Sequence, residues 1–305
     1  MRYTIIRYAK GLYQLSRLDP AASWAGGAFV IGAALAYYQV GTALLWQNGL
    51  LALVGVTSAI SFGAHGINDT YDWLTGTDKE SIGKGTGGSR VIPQGKFSVV
   101  ETATVGVIGL TITFVIFVYL FLDYGWPILV LGTIAIGAPL TYSLPPFKFA
   151  YRPFAELIVV VPTLIGVTIG SELVLSGTIT WTGGLAGCVH AAFSISWFVV
   201  SRLPDYEPDK RVGKTTTVVY LGRDTAPFIA TVYLLCGVGL SVVGLVTFGW
   251  PFAVTPVFGA FMLVGLSRLD PDNPEQASTI RYRQMRLTTM HAVALALAIV
   301  ILRMS

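Results

Sequence analysis

Long, almost unbroken runs of apolar side chains alternate along the chain with short polar stretches, and the lengths of the runs decide the element type. Nine runs, at approximately 22–42, 47–67, 98–121, 126–144, 154–175, 181–201, 226–247, 250–267 and 288–303, read as bilayer-crossing helices, since a crossing takes roughly 20 apolar residues. The polar breaks between them are unequal. Those on one side of the bilayer are tiny; those on the other are long and carry nearly all the polar chemistry. The pattern predicts an all-α integral membrane protein, one transmembrane domain over residues 1–305, with cap loops at 68–97 and 202–225. Two four-helix halves plus a ninth helix would arise naturally, because the acidic segments that end the second and sixth runs are four runs apart. Pro145-Pro146 closes the fourth run, as proline cannot donate the hydrogen bond a helix interior needs. Glycines crowd Gly83-Lys84-Gly85-Thr86-Gly87-Gly88-Ser89, which predicts a loop.

Charge then orients this map. The basic residues fall before the first run (Arg2, Arg7, Lys10, Arg17) and between the second and third (Lys79, Lys84, Arg90, Lys96). They recur between the fourth and fifth (Lys148, Arg152), around the sixth-to-seventh connection (Arg202, Lys210, Arg211, Lys214, Arg223), and before the ninth (Arg268, Arg281, Arg283, Arg286). All five stretches lie on one side, and Arg303 is the single basic residue on the other. Basic loops stay in the cytoplasm, so the N-terminus is expected inside and the C-terminus outside, in a multi-pass protein of the cell membrane. Residues 1–21 are mixed and basic rather than a short apolar core, so no cleavable signal peptide is expected.

Composition agrees. Only 12% of the residues are charged, against about 25% in a soluble domain. The net charge of +4 lies in the loops of a membrane protein and asks for no nucleic-acid partner. Cys188 and Cys236 both lie inside apolar spans, where cysteines are ordinarily inert core residues, and no zinc-type Cys/His cluster is present in the sequence.

Two acidic clusters stand out from this background. The first is Asn68-Asp69-Thr70-Tyr71-Asp72, with Asp78 following; the second is Asp205-Tyr206-Glu207-Pro208-Asp209, with Lys210, Arg211 and Lys214 close behind. If the second helix continues through the first cluster, Asn68, Asp69 and Asp72 share one face at three- and four-residue spacing. Asp205 and Asp209 are again four apart, though Pro208 leaves a regular helix there in question. Carboxylates packed this tightly repel one another unless cations offset the cost. Magnesium takes one or two carboxylates plus phosphate oxygens and water. Acids beside basic residues at a membrane surface therefore point to divalent metal and a diphosphate, although a solvated loop of ordinary turn residues would share the Asn-Asp composition. Arg90 and Lys84 in the glycine-rich loop are further diphosphate candidates.

Other polar residues are weaker candidates. His65 lies one turn before Asp69 and is either a partner of it or a helix histidine satisfied by a neighbour. His190 and His291 read as packing residues. Glu156 is a functional candidate by its depth or a side chain reaching back to the interface. Asp123 and Glu172, towards the outer side, read as structural. Tyr142 and other aromatics either line an apolar tunnel or belong to an interfacial belt.

On these motifs the chain resembles the UbiA superfamily of intramembrane aromatic prenyltransferases over nearly its full length. The family's Asn-Asp-x-x-Asp stands as Asn68 to Asp72. Its third acid is Asp78, six residues on, and Gly87-Gly88-Ser89-Arg90-Val91-Ile92 with Gly95-Lys96 resembles the menaquinone branch, the 1,4-dihydroxy-2-naphthoate polyprenyltransferases. Tyr142-Ser143-Leu144-Pro145-Pro146 with Glu156 is similar to the stretch after the family's fourth helix. The second motif reads Pro204 to Asp209, followed by Gly213-Lys214-Thr215-Thr216. Members of that branch often carry Asn or Glu shortly before the second motif, where this chain has Arg202.

The resemblance implies a UbiA-like fold and Mg2+-dependent transfer of a polyprenyl group from its diphosphate to an aromatic quinone precursor in the membrane. Asp69, Asp72, Asp205 and Asp209 would be catalytic. Two Mg2+ would be held by Asn68, Asp69, Asp72, Asp205 and Asp209 with Asp78 in support, and the diphosphate by Lys214, Arg90, Lys84 and Arg202. The alternatives are a terpene cyclase of the same superfamily, prenylation of a glycerol-phosphate lipid, a chlorin or a carotenoid, or a transporter. A transporter would place its ionisable groups near the midplane rather than at the helix ends.

Overall fold

The computed structural model describes residues 2–80 and 88–305. Among these residues the regular elements are all helical. Those of six residues or more are, in chain order, α1 (Arg2–Ser16), α2 (Leu18–Val40), α3 (Trp46–Thr75), α4 (Val99–Tyr124), α5 (Trp126–Ser143), α6 (Glu156–Ser176) and α7 (Trp181–Val200). They continue with α8 (Tyr206–Arg211), α9 (Arg223–Thr247), α10 (Trp250–Leu266) and α11 (Pro274–Met304). Eight of them, α2 to α7 with α9 and α11, are long and apolar enough to cross a membrane. The run expected at 250–267 forms a shorter apolar helix, α10, whose first four residues are a tighter 3-10 turn entered through Gly249 at φ 126°.

Helix ends explain where the apolar runs mispredict the boundaries. α11 begins fourteen residues before its apolar run, at Pro274, because Asn273 caps it by accepting from Gln276 N–H at 2.9 Å. The extra turns bury Ala277, Ile280 and Gln284, so tertiary contact sustains helix where hydropathy alone does not. α4 starts at a capping box in which Ser98 and Glu101 satisfy each other's backbone N–H groups. The expected cap loop at 68–97 begins as helix, since α3 runs on through the first acidic cluster to Thr75.

α7 is buried along nearly its whole length and packs against α2, α6, α9 and α11, forming the axis of the molecule. α3 and α4 cross at Gly66 and Gly106, where a side chain on Gly66 would sit 2.7 Å from the Gly106 Cα; small residues allow this approach between backbones. The outward faces carry large exposed apolar residues such as Leu50, Val107, Phe114, Leu122, Phe228 and Val246, as lipid contact requires. Exposed Trp46, Trp126, Trp181 and Trp250 each open a helix that starts on the side opposite the acidic motifs, marking that membrane interface. Cys188 is half-buried and Cys236 exposed on α9, so neither is the fully packed core residue its span suggested.

Three spans contain π-helical segments: Ala22–Gly26 in α2, Ser58–Ala64 in α3 and Glu156–Val160 in α6. Those of α2 and α6 lie in the half of the helix nearer the acidic motifs, and that of α3 spans its middle.

Candidate active site

α3 delivers the first motif in helical form, and helix geometry sorts its side chains. Residues four apart lie about 40° from eclipsed, whereas adjacent ones are about 100° apart. Asn68 and Asp72 accordingly meet, with Asn68 Nδ2 donating to Asp72 Oδ2 at 3.3 Å. Asp69 turns away from them towards α1.

The second motif is helical as well. Asp205 is the N-cap residue of α8, and the Asp209 N–H donates to the Asp205 carbonyl at 2.8 Å. Pro208 is tolerated because it falls in the first turn, where a helix has no use for its N–H. Past α8 the chain reverses through Gly213, at φ 72°, and the Lys214 N–H returns to the Asp209 carbonyl at 2.8 Å.

Lys214 joins the two motifs. Its ammonium lies 3.1 Å from Asp72 Oδ2 and 3.8 Å from Asp209 Oδ1, with the whole residue only 4% exposed. Burial favours the neutral amine, but Asp72 and Asp209 outweigh it and hold the Lys214 pKa above its ordinary value. Tyr151 completes the bridge by donating to Asp72 Oδ1 at 2.8 Å, while its backbone carbonyl takes the Thr215 N–H at 3.2 Å. Burial, with Asp72 second, pushes the Tyr151 phenol up to about 12. Glu156 supports this loop from behind. It accepts from Thr217 Oγ1 at 2.7 and 2.9 Å and from the Tyr233 hydroxyl at 3.3 Å, and Thr217 in turn accepts the Phe154 N–H at 2.7 Å. Glu156 thus neither snorkels nor faces the main cavity.

For the other acids burial outweighs the cations nearby. Burial, then repulsion from Asp72 and Asp69, drives the Asp78 carboxyl up to about 8. Burial raises Asp209 to about 6 against the pull of Lys214 and Arg202, and it raises Asp205 as well. Asp205 Oδ1 and Asp209 Oδ2 are buried without any hydrogen-bond partner. Orphaned carboxylate oxygens of this kind are costly unless a cation takes them. Among the described residues no three acids, histidines or cysteines converge closely enough to cage an ion by themselves. That arrangement suits Mg2+, which takes one or two carboxylates and fills its octahedron with phosphate oxygens and water. The residues present therefore fit a metal–diphosphate group.

These side chains crown a cavity of about 540 Å3. Asn68, Asp72, Asp78, Asp205, Asp209, Lys214, Arg90 and Arg202 all line it, so the structure brings together both halves of the expected site. Lys84 lies outside the described residues. Asp69 is buried but does not line the cavity: Arg17 donates to its Oδ1, and the Ser89 hydroxyl and N–H (3.0 Å) to its Oδ2. Arg202 lies over the Phe198 ring at 4.4 Å and donates to the Tyr142 hydroxyl. Below this polar end the wall is apolar down to Ala52, Leu120, Ile128 and Val174. Asp72 and Ala52 are twenty residues apart on one continuous helix, so the cavity is about 30 Å deep at 1.5 Å per residue. Its floor lies close to the Trp126 end of α5, so it traverses most of the hydrocarbon thickness. Trp24, Tyr142, Trp197 and Phe198 surround the zone where the polar end meets the tunnel.

Each of the three histidines has one ring nitrogen paired with a neighbour, and His65 also lines the cavity. His65 Nδ1 pairs with the Leu15 carbonyl at 3.2 Å, His190 Nε2 with the Trp24 carbonyl at 2.9 Å, and His291 Nε2 with Thr255 at 3.0 Å. Glu172 joins α6 to α2 by accepting from Gln39 at 2.6 Å and to the start of α7 by accepting from the Thr180 hydroxyl at 2.6 Å.

Sequence reasoning missed Arg17, Ser89 and Tyr151 as parts of this site, and Arg281, which lines the cavity from α11. Arg17 carries one usable signal. It ends an amphipathic segment just before Leu18-Asp19-Pro20, where proline forces a helix boundary.

A buried, cation-bridged pair of acidic motifs above an apolar tunnel through a helical membrane bundle defines an intramembrane enzyme acting on a substrate with a polar, anionic head and a long apolar tail. The UbiA prenyltransferase family model matches residues 26–301, and the chain belongs to that family. No curated protein matches it in sequence. Among solved structures, it is similar to a UbiA homolog from Archaeoglobus fulgidus bound to DMAPP and Mg2+, at TM-score 0.64 and 19% identity, covering 93% of this chain and 98% of that one. The same homolog bound to GPP and Mg2+ matches at TM-score 0.64 and 19% identity, over 94% and 99%. A digeranylgeranylglyceryl phosphate synthase matches at TM-score 0.63 and 17% identity, over 96% and 99%.

Proposed function

We propose that this protein transfers a polyprenyl group from its diphosphate to 1,4-dihydroxy-2-naphthoate or a closely related aromatic quinone precursor. The observation that carries the transfer reading is the convergence of Asp72, Asp209 and Lys214 at the head of a tunnel about 30 Å deep. Asn68, Asp72, Asp78, Asp205 and Asp209 would hold two Mg2+, which when bound neutralise the diphosphate and make it a better leaving group. Lys214, Arg90 and Arg202 orient the diphosphate and stabilise the charge that grows on it as the allylic C–O bond breaks. The apolar tunnel takes the tail and excludes water from the developing cation. An electron-rich ring carbon of the acceptor then forms the new C–C bond and loses its proton, and pyrophosphate leaves.

The aromatic acceptor is supported by the walls of the reaction zone. Trp24, Trp197, Phe198 and Tyr142 offer flat surfaces, and Arg281 lines the same cavity as a partner for an acceptor carboxylate. The six-residue step from Asp72 to Asp78 supports the menaquinone branch in particular. A glycerol-phosphate lipid acceptor is the second reading, favoured by the likeness to the digeranylgeranylglyceryl phosphate synthase. The basic loops support nine crossings of a single catalytic domain, in two four-helix halves plus a ninth helix, with the N-terminus and the head of the cavity cytoplasmic.

The test is pyrophosphate release by purified protein with Mg2+ and geranylgeranyl diphosphate, with and without the naphthoate, and mass spectrometry of the lipid products. Naphthoate-dependent release with a prenylated product supports the reading. Release without acceptor, giving a hydrocarbon or alcohol, replaces it with cyclisation. Asp72→Ala and Asp205→Ala should each abolish turnover in folded protein, and activity within a few-fold of wild type in either would sink the metal assignment.

A further inference from the structure

Asp69 differs from the other acids in what already occupies it. Both oxygens are taken, Oδ1 by the Arg17 guanidinium and Oδ2 by the Ser89 hydroxyl and N–H. Three donors fill most of the roughly four acceptor sites of a carboxylate, and a guanidinium on one oxygen repels a cation brought there. The residue is 2% exposed and lies behind the cavity wall.

Arg17 and Ser89 come from two segments that are fastened to each other. Leu15 at the end of α1 packs on Val91 and Phe97. Gln14 Nε2 donates to the Ser89 carbonyl at 2.5 Å and to Gln94 Oε1 at 3.1 Å, and Lys96 donates back to Gln14. Arg7 and Tyr8 hold Glu101 at 3.0 and 2.5 Å. A side chain on Gly11 would fall 2.6 Å from the Phe97 ring, so α1 lies directly on this segment. Together they make one plate that supplies Tyr13, Gln14, Arg17, Gly88, Ser89 and Arg90 to the cavity wall. Asp69 receives a hydrogen bond from each half of the plate.

We propose that Asp69 is a positioning residue and not a metal ligand: its carboxylate tethers α1 and the Gly88–Arg90 turn across the mouth of the cavity. The tether keeps Arg17 and Arg90 beside the place where the donor's diphosphate enters. This inference rests on the metal–diphosphate reading above and changes the role of one member of the first motif within it. Gly88 supports the same geometry. It sits at φ 69°, and a side chain there would meet Asp69 Oδ1 at 2.7 Å and Asp78 Oδ2 at 2.8 Å.

The test uses full-length protein in nanodiscs, with Mn2+ as probe counted by electron paramagnetic resonance in the presence of pyrophosphate. Asp69→Asn should keep the wild-type number of Mn2+ sites, with affinity within about threefold, a change of less than about 0.7 kcal/mol. Asp72→Asn should lose sites. In steady-state assays Asp69→Asn, Arg17→Gln and Ser89→Ala should each raise the donor KM, roughly tenfold for the charge-assisted Arg17 contact, with a smaller change in kcat. The Asp69→Asn/Arg17→Gln double variant should be no worse than the weaker single, and Arg17→Lys should recover part of the loss. Trypsin should cleave at Arg7 and Lys10 faster in Asp69→Asn than in wild type. Loss of Mn2+ sites in Asp69→Asn matching that in Asp72→Asn would overturn the proposal, as would additive effects of Asp69→Asn and Arg17→Gln. Wild-type Mn2+ binding by Asp72→Asn would remove the underlying metal reading, and the proposal with it.

Discussion

Replacing Lys214 by methionine keeps the length of the side chain and removes its charge, which makes Lys214→Met the sharpest probe of how the two motifs are joined. The ammonium faces Asp72 at 3.1 Å and Asp209 at 3.8 Å. At an effective dielectric of about 20 these are gross attractions of about 5 and 4 kcal/mol. Desolvation of the three buried groups cancels much of that, and the measured effect of removing one partner from a buried pair is about 3–5 kcal/mol. At roughly 2–4 °C per kcal/mol for a domain of this size class, metal-free Lys214→Met should melt at least about 6 °C below wild type. Added Mg2+ should then stabilise the variant more than the wild type, because a divalent ion supplies the charge that Lys214 no longer does. Catalysis should move the other way, with turnover down by about 100-fold or more even at saturating Mg2+, as expected for one preorganised charge facing the leaving group. Thermal unfolding with and without Mg2+, alongside pyrophosphate release, measures both. A melting temperature equal to wild type without metal, combined with an equal Mg2+ shift, would refute the bridging role.

The buried acids predict a pH dependence with a definite sign. Asp78 and Asp209 have folded values of about 8 and about 6, raised above the unfolded carboxylate value; the stability they contribute is full in acid and is lost as pH rises through those values. Metal-free protein should therefore melt lower at pH 8.5 than at pH 6, and Mg2+ should flatten the slope while releasing protons on binding; parallel slopes in fluorimetry with and without Mg2+ would contradict this. Gly88→Ala forces a left-handed backbone costing about 1–2 kcal/mol and presses a methyl group onto Asp69 and Asp78, so donor KM should rise sharply in steady-state assays; unchanged kinetics would mean the turn does not shape the site. Ala135→Trp in the tunnel wall should exclude long donors while sparing dimethylallyl and geranyl diphosphates, a change in chain-length preference read by competition between donors.

Much of the architecture was legible because lipid imposes a simple rule on sequence. Apolar runs of the right length located the crossings, and both acidic motifs were visible because charges are rare in such a chain. What hydropathy could not show is where helix continues past the apolar segment. The start of α11 at Pro274 and the passage of α3 through Asn68 to Thr75 depend on caps and tertiary contact. The roles within the motifs were only partly legible. Spacing placed Asn68 with Asp72 correctly, yet Asp69 turned to a different partner because that partner, Arg17, lies fifty-two residues away. In sequence Arg17 is one of many basic loop residues, and Tyr151 is hidden between Lys148 and Arg152 for the same reason.

The π-helical segment Ser58–Ala64 sets the rotational phase between tunnel and head along a single helix. Upstream of it α3 presents Ala52 and Val56 to the apolar wall; downstream it presents Asn68 and Asp72 to the diphosphate end. A π turn accommodates one residue more than the α-helical ladder, and each residue of an α-helix turns the chain by about 100°. Deleting one residue such as Ile60 would let the ladder close as ordinary α-helix with every hydrogen bond intact. Because the wide turn absorbs that extra residue, the acids would stay close to their present side, whereas the same deletion from a plain α-helical stretch would swing them about 100° away from the cavity that Ala52 still lines. In this helix the π turn therefore sets how many residues separate two functional surfaces: one residue removed within it leaves the surfaces aligned, while one removed from the α-helical turns beside it would give a protein that folds and inserts yet carries its carboxylates on the wrong side.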